Sequence, residues 1–376
     1  MKLIINDKNK RLNEIKRFLK SQNIPLNSLN KIKGDASFRQ YYRINGKELL
    51  LMDADPKTNE KISSFIKIQK ILSQMKIKVP KIYKKNISLG LMLIEDFGEE
   101  NFLTYKNKNE IISKFYRDSI EILLRIHRLS ILMPNKIKSL KKYSQVEQKK
   151  ETDLFFDWYL KKHINVDLAA REKEKFYNIL NKLCKKMFVK NYSLVLRDYH
   201  VDNIIPIKAK SLFPKQGGLI TSFEKKNSEN YDLGIIDFQD ALIGSPAYDL
   251  CSLVEDVRAP LDELEKQNLV DRFILSAKMD LTMINQKAIN ETRDFVNSDT
   301  IKIAENTIKN LNKQISYFSI QRNLKIIGIF CRLKYRDKKP NYIKYLPAAK
   351  KFINNNLKKP DFVELKNWFT MNKIDV

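Results

Sequence analysis

Two short polar segments constrain this chain of 376 residues more than any other feature of its sequence. The first holds Asp198 and, five positions later, Asn203, and the second begins at Asp237, 34 residues after Asn203. Asp237 follows the apolar run 233–236, which is typical of a buried strand. A carboxylate at the end of a buried strand is costly unless a cation compensates it. We therefore expect a loop with Asp198 and Asn203, and a separate strand with Asp237, to approach one cation from two sides.

The chemistry that needs these residue types at this spacing is phosphoryl transfer. One carboxylate must lie against the attacking hydroxyl, while an amide oxygen and a second carboxylate hold magnesium on the nucleotide phosphates. We expect Asp198 to accept or orient the hydroxyl proton as the catalytic residue, and Asn203 and Asp237 to be the metal ligands. Each residue alone is also compatible with a solvated loop or an Asx turn, but the three together favour catalysis. The sequence therefore predicts a kinase that modifies a small hydroxylated substrate and uses ATP and Mg2+ as cofactors.

Three neighbours of these residues are expected to support the site rather than to react. Arg197 and His200 flank the catalytic residue, and a lone histidine in such a loop is more often a hydrogen-bonded scaffold residue than a base. Asp249 stands at the start of a predicted helix, where it can cap free N–H groups and anchor the catalytic loop. We interpret Arg197, His200 and Asp249 as structural residues around the site.

The first 98 residues predict a small antiparallel sheet with a helix packed against it. Segment 38–44 is rich in aromatic residues and ends at Asn45-Gly46, a strong hairpin signal, after which segment 48–52 is expected to pair back. Residues 59–75 have the apolar spacing of an amphipathic helix.

Two loops of this region are candidate nucleotide contacts. Ser37, Phe38 and Arg39 precede the aromatic strand, and their loop could cover phosphates with backbone N–H groups. The turn formed by Glu95, Asp96 and Phe97 follows an apolar strand, and its backbone could pair with adenine. The first signal is weak when it is taken alone, because that loop holds one glycine and not a glycine-rich run.

The remainder of the chain is mainly helical in pattern, as in the long periodic segment 110–129. Segment 208–230 lacks periodicity and is predicted to be a loop inserted between two strands. The sequence therefore predicts an α+β fold with an N-terminal lobe of residues 1–98 and a mainly helical lobe of residues 99–376.

Composition limits the class of partner. Lys and Arg number 71 against 44 Asp and Glu, which gives a formal charge of +27. Such a charge fits either an anionic partner or a compositional drift toward Lys, Ile and Asn, and the even spread of the lysines favours drift. Aromatic and basic residues do not interleave as they do in nucleic-acid-binding modules, so we do not expect a nucleic-acid partner.

The cysteines and the apolar runs indicate the compartment. Cys184, Cys251 and Cys331 are far apart and form no Cys-x-x-Cys motif, which favours free buried thiols in a reducing environment. The N-terminus becomes charged too soon for a signal peptide, and no apolar run approaches the roughly 20 residues of a membrane helix. We therefore expect a cytoplasmic protein that has no membrane partner.

On its motifs the chain resembles the aminoglycoside-phosphotransferase family, small-molecule relatives of the eukaryotic protein kinases. Within this family it is most similar to the anomeric sugar kinases of bacterial cell-wall recycling, which phosphorylate N-acetylmuramate and N-acetylglucosamine at C1. The resemblance runs over residues 30–355, and the segments that carry it are Gly34 to Arg39, Leu51 to Ala54, Leu93 to Gly98, Leu196 to Asn203, Ile236 to Ala241, Tyr248 to Leu250 and Gln321 to Phe330.

The resemblance implies a bilobal protein-kinase-like fold, with a small antiparallel-sheet N-lobe and a larger, mainly helical C-lobe. It implies the same roles for Asp198, Asn203 and Asp237 as the chemistry does. It further implies that Ser37 to Arg39 cover the phosphates of ATP and that Glu95 to Phe97 contact adenine. Two further residues, Gln239 and Asp240, would face the sugar. The implied activity is ATP-dependent phosphorylation of the anomeric hydroxyl of an N-acetylated amino sugar to the sugar 1-phosphate, in peptidoglycan recycling.

The chain departs from the family pattern at Met52, which stands about where a strand lysine would pair with nucleotide phosphates. Arg39, Arg43 and Lys47 are all candidates to supply that charge, and the sequence does not choose among them. Two alternatives to the sugar kinase stay open: a kinase of another hydroxylated acceptor, such as an aminoglycoside or choline, and a pseudokinase or nucleic-acid-binding protein. The sequence predicts no oligomeric state.

Overall fold

The structure of the protein is a computed structural model that describes residues 2–32, 39–58, 62–102, 109–208, 231–290 and 298–376. The chain divides into two compact units. The first unit combines Met1–Phe115 with Asp202–Gln239, and the second unit combines Tyr116–Val201 with Asp240–Val376. The lobe boundary at residue 98 stays a prediction.

Helices and strands are numbered in chain order over the described residues. The helices are α1 (Lys2–Lys20), α2 (Ile62–Gln74), α3 (Asn109–Leu132), α4 (Pro134–Ile137), α5 (Gln145–Leu154), α6 (Ala170–Lys186), α7 (Ala247–Val254), α8 (Glu263–Asn290), α9 (Ser298–Lys309), α10 (Leu311–Tyr335), α11 (Leu346–Leu357) and α12 (Val363–Met371). The strands are β1 (Leu29–Lys31), β2 (Gln40–Ile44), β3 (Leu49–Asp53), β4 (Ile82–Asn86), β5 (Leu91–Glu95), β6 (Ser193–Val195), β7 (Ile204–Lys208), β8 (Tyr231–Ile235) and β9 (Leu242–Gly244).

The first unit is built on an antiparallel sheet with the strand order β1-β2-β3-β5-β4. The predicted hairpin forms at Asn45-Gly46, where Gly46 has a φ of +69°, a conformation that glycine adopts without a steric penalty. Apolar side chains from α1 and the sheet form one buried cluster, which includes Phe18, Leu19, Leu51 and Leu93. The predicted amphipathic helix is present as α2, with Phe65 and Leu72 among its buried residues.

A second hairpin of the first unit consists of β7 and β8, which pair antiparallel with Ile204 opposite Ile235. Gly234 lies so close to the Phe97 ring that a Cβ at this position would come within 2.4 Å of a ring carbon. Residues 209–230 of the predicted inserted loop lie outside the described residues, and Lys208 ends β7.

The second unit is mainly helical, and α10 lies at its centre. This helix packs against α5, α7 and α11, and also against a wide helical segment with π geometry, Phe155–His163, that continues α5. Most of α10 is buried, and Gly328 lets it approach α5 closely, since a Cβ there would come within 2.3 Å of the Leu154 carbonyl carbon. The predicted long helix at 110–129 is present within α3. The antiparallel sheet and the helical remainder confirm the α+β prediction.

None of the described helices is both long enough and apolar enough to cross a membrane. Cys251 and Cys331 are buried and Cys184 is partly buried, and all three are free thiols.

Candidate active site

The loop that carries Asp198 is tied to α7 by hydrogen bonds from its backbone N–H groups to the side chain of Asp249. The Asp249 carboxylate accepts bonds from the backbone N–H groups of Leu196, at 2.6 Å, and Arg197, at 2.9 Å. Arg197 has a φ of +74°, a left-handed conformation that costs a non-glycine residue about 1–2 kcal/mol. Burial raises the pKa of Asp249 to about 7, against the lowering effect of the two N–H donors. Asp249 therefore anchors the strained loop.

The same loop has a second carboxylate anchor that the sequence did not indicate. The backbone N–H of Val201 donates to Asp256 Oδ2 at 3.2 Å, and Asp256 is 3% exposed. Asp249 and Asp256 thus hold the loop on both sides of Asp198. No local motif marks Asp256, which lies beyond the end of α7.

A buried network centred on Glu151, which is 4% exposed, lies behind the loop. The Glu151 carboxylate pairs with Arg197, accepts a bond from the Tyr143 hydroxyl at 2.6 Å and from Gln321 Nε2 at 3.0 Å, and lies 3.3 Å from Lys325 Nζ. Burial raises the pKa of Glu151, but the Lys325 and Arg197 cations outweigh this effect and lower the pKa to about 2. Glu151 is therefore ionised and fixes the two cations beside the loop that carries Asp198.

The Lys325 ammonium also lies 3.7 Å from Asp198 Oδ1, and about a third of the Asp198 side chain is exposed. Burial raises the pKa of Asp198, but Lys325, Arg197 and Arg322 outweigh that effect and hold the pKa below its ordinary value. Asp198 is therefore a carboxylate at neutral pH, the form that can accept a hydroxyl proton.

His200 differs from Asp198 in its electrostatics. Burial, followed by the charge of Arg258, lowers the pKa of His200 to about 4. Its imidazole is consequently neutral near pH 7. A neutral ring beside the base is compatible with the scaffold role expected from the sequence.

Asn203 and Asp237 lie at the same end of the β7–β8 hairpin. The backbone N–H of Ile236 donates to the Asn203 carbonyl oxygen at 3.0 Å, directly beside the pair Ile204 and Ile235. Asp237 has a φ of +55°, and about half of its side chain is exposed. An amide oxygen and an exposed carboxylate fit Mg2+, which proteins usually bind through one or two carboxylates together with substrate phosphates and water.

One of the three candidate cations, Arg39, lies beside the predicted metal ligand Asp237. Met52 is buried in the sheet opposite Tyr41 and Met92 and carries no charge. Arg39 Nη2 lies 3.9 Å from Asp237 Oδ1, and the Arg39 side chain is 7% exposed. This geometry places a guanidinium beside the predicted metal ligand.

The two other candidate cations are placed differently. Arg43 forms ion pairs with Asp96 and Glu99, and Lys47 is exposed in the hairpin turn. Neither side chain forms an ion pair with Asp237 in the described part of the chain. Among Arg39, Arg43 and Lys47, the geometry therefore favours Arg39 as the cation next to the metal ligands.

The remaining predicted contacts are resolved unevenly. Ser37 and Phe38 lie outside the described residues. Gln239 is 8% exposed and donates from Nε2 to Asp237 Oδ1 at 2.9 Å, whereas Asp240 is exposed. The backbone N–H of Glu95 donates to Lys81 at 2.9 Å. The adenine-binding role of the Glu95–Phe97 turn and the sugar-binding role of Gln239 and Asp240 stay predictions.

A sheet-based unit and a mainly helical unit with Asp198 in a tied loop are the features expected of a protein-kinase-like fold. The fold assignment is supported by solved structures. Choline kinase LicA from Streptococcus pneumoniae has a TM-score of 0.55 and 14% identity, with 91% of this chain and 98% of that chain covered. The gentamicin complex of APH(2″)-IIa has a TM-score of 0.53 and 14% identity, with 93% and 97% covered. The predicted protein-kinase-like fold is thereby confirmed.

Residues 28–205 match the family APH, described as the phosphotransferase enzyme family. Curated relatives include the N-acetylmuramate/N-acetylglucosamine kinases of Pseudomonas putida and Neisseria meningitidis. The first is 24% identical, with 91% of this chain and 87% of the relative covered. The second is 24% identical, with 85% and 82% covered. The prediction of a phosphotransferase is confirmed.

Proposed function

We propose that this protein is an ATP- and Mg2+-dependent kinase that phosphorylates the anomeric hydroxyl of an N-acetylated amino sugar. The acceptor would be N-acetylmuramate, N-acetylglucosamine or both, and the product would be the sugar 1-phosphate in peptidoglycan recycling. The observation that carries the proposal is Asp198, ionised by Lys325 and held in a loop tied to Asp249. The names of the curated relatives, which cover most of the chain, support the choice of acceptor.

In this proposal Asp198 receives the proton of the sugar hydroxyl as its oxygen attacks the terminal phosphorus of ATP. The bond from that phosphorus to the bridging oxygen breaks, and ADP leaves. Asn203 and Asp237 would hold Mg2+, which when bound supplies positive charge to the phosphates. Arg39 would add a guanidinium at the same place, in the role of the missing strand lysine.

Nucleotide use is supported by the fold, since LicA has also been solved in complex with AMP, with a TM-score of 0.52 to this chain. The remaining roles complete the proposal. Ser37 and Phe38 would cover the phosphates together with Arg39, Glu95 and Phe97 would contact adenine, and Gln239 and Asp240 would contact the sugar. ATP is abundant in the cytoplasm, and we propose that the protein acts there.

Release of ADP in the presence of different acceptors tests this function. The panel contains N-acetylmuramate, N-acetylglucosamine, an aminoglycoside and choline, and we expect turnover with at least one amino sugar. Asp198→Asn should lower kcat by about 100-fold or more, because general base catalysis contributes roughly that factor, while ATP still binds. The matched control is Asp271→Asn, which changes an exposed carboxylate of α8 in the same way and should keep full activity.

Two results would contradict the proposal. Turnover of choline or the aminoglycoside without turnover of either amino sugar would assign the fold to another acceptor. Near-normal turnover by Asp198→Asn would remove Asp198 from the mechanism.

A further inference from the structure

Arg322 is a buried cation on α10 whose charge lacks a carboxylate partner in the described part of the chain. The residue is 5% exposed. Its Nη2 donates to Ser252 Oγ at 2.6 Å, and its guanidinium carbon lies 5.3 Å from the centre of the Tyr248 ring. Its Nη1 is buried and has no hydrogen-bond partner among the described residues. Arg322 thus keeps an unused pair of N–H donors in the protein interior.

The neighbouring cations are arranged differently. Lys325 lies 3.3 Å from Glu151 and 3.7 Å from Asp198, while Lys266 pairs with Glu255 at 2.5 Å. Arg258 pairs with Asp256 at 3.3 Å. Burying a charge is expensive unless it is paired, so an unpaired guanidinium among paired cations indicates a missing anion.

Arg322 and Asp198 line the same cavity. This cavity has a volume of about 80 Å3, room for two or three water molecules. Its wall also includes Lys325, the apolar residues Ile326, Ile329 and Phe330, and two carboxylates, Glu255 and Asp256, which are already paired with Lys266 and Arg258. It can therefore hold a small charged group but not a whole sugar. A ligand whose hydroxyl lies against Asp198 would extend an attached group toward Arg322.

Two sources of an anion are available, the nucleotide phosphates and the acceptor itself. The candidate phosphate contacts Arg39, Asn203 and Asp237 all belong to the first unit, whereas the residues that line the cavity all belong to the second. The cavity residues share a unit with the predicted base, the group that contacts the acceptor. This division favours the acceptor as the source.

We propose that Arg322 binds a carboxylate of the acceptor and makes the enzyme selective for the acidic amino sugar N-acetylmuramate over the neutral N-acetylglucosamine. The proposal rests on the amino-sugar kinase function proposed above. A guanidinium donates charge-assisted hydrogen bonds to a carboxylate, and the unused Nη1 supplies N–H donors for such a bond. N-acetylglucosamine lacks the carboxylate and would leave Arg322 unpaired.

The test compares kcat/KM for the two sugars in the wild type and in Arg322→Met, which removes the charge and keeps a long side chain. We expect kcat/KM for N-acetylmuramate to fall about 10- to 100-fold, the loss of a charge-assisted hydrogen bond. The value for N-acetylglucosamine should fall much less, because Arg322 acts on this sugar only through the pKa of Asp198, and the KM for ATP should stay close to that of the wild type. Arg322→Lys keeps a positive charge and should recover part of the preference. It also serves as the second variant if the methionine variant fails to fold.

Calorimetric titration with N-acetylmuramate in the absence of nucleotide gives an independent readout. We expect Arg322→Met to bind this sugar more weakly than the wild type. Equal binding, or an equal loss of kcat/KM for both sugars, would overturn the role of Arg322 in selectivity. A wild type that binds N-acetylmuramate but transfers no phosphate to either sugar would instead contradict the proposed function alone.

Discussion

At the scale of single residues, the sequence predicts roles for Asp198, Asn203 and Asp237 but not the electrostatic support of Asp198. The three roles stay predictions, which rest on the residue types that phosphoryl transfer requires. Lys325 contacts Asp198 from a helix that begins more than 100 residues later, at Leu311. No local pattern connects a lysine in a helix to a loop at that separation, since only tertiary packing of α10 brings them together.

Replacement of Lys325 by methionine should shift the pH dependence of the reaction. Burial alone raises the pKa of Asp198, and Lys325 is the largest influence that lowers it. Without the ammonium the pKa of Asp198 rises, so the base is protonated at a higher pH. We therefore expect the acidic limb of the kcat/KM profile of Lys325→Met to move to higher pH.

The matched control for this measurement is Lys313→Met, which removes an exposed lysine from the first turn of the same helix. Its profile should coincide with that of the wild type. Coincident profiles for Lys325→Met and the wild type would show that Lys325 does not set the protonation of the base.

At the scale of helices and strands, periodicity predicted the existence of elements better than their contacts. The sheet hairpin at Asn45-Gly46 and the helices α2 and α3 follow from local patterns. The central position of α10 does not, because many of its buried residues are polar, including Gln314, Gln321 and Lys325. Their hydrogen bonds form only after the neighbouring helices have packed.

Gly328 makes the packing of α10 testable. An alanine here would bring its Cβ within 2.3 Å of the Leu154 carbonyl carbon, and backbone cannot move aside as a flexible side chain can. We expect Gly328→Ala to lower the free energy of unfolding by about 2–3 kcal/mol, as overpacking of a core does. Chemical denaturation measures this change.

The control is Asn312→Ala, at an exposed position of α10, which should stay within about 0.5 kcal/mol of the wild type. A Gly328→Ala variant as stable as this control would mean that α10 and α5 are not in close contact.

At the scale of the whole molecule, local patterns gave the fold class but not the grouping of distant segments. Residues 202–239 form one compact unit with the first 115 residues, although almost 90 residues of the other unit lie between them in sequence. The apolar strand 233–236 indicated burial without indicating its partners. The formal charge of +27 indicates neither a fold nor a partner, and the absence of a nucleic-acid partner stays a prediction.

Global stability should depend on pH through His127. This ring is fully buried, it is hydrogen-bonded to the Tyr192 hydroxyl at 2.9 Å, and burial lowers its pKa from 6.5 to about 4. Between these values the unfolded chain binds a proton that the folded chain does not. Stability should therefore fall as the pH falls through this window, by up to about 1.4 kcal/mol per pH unit from this residue.

Denaturation of His127→Gln at several pH values checks this expectation, since the variant should show a weaker loss of stability in acid. His163→Gln is the matched control, because the His163 ring is only partly buried and should contribute less. If His127→Gln and the wild type lose the same stability in acid, this result would contradict a neutral, buried His127.

The central claim, transfer of phosphate from ATP to the anomeric hydroxyl of an amino sugar, is tested most directly by phosphorus NMR of the product. The wild type is incubated with ATP, Mg2+ and N-acetylmuramate, and then with N-acetylglucosamine. The account predicts a new phosphate monoester signal coupled to the anomeric proton, formed together with ADP and absent with Asp198→Asn. A phosphate coupled to any other sugar proton, or free phosphate alone, would contradict it.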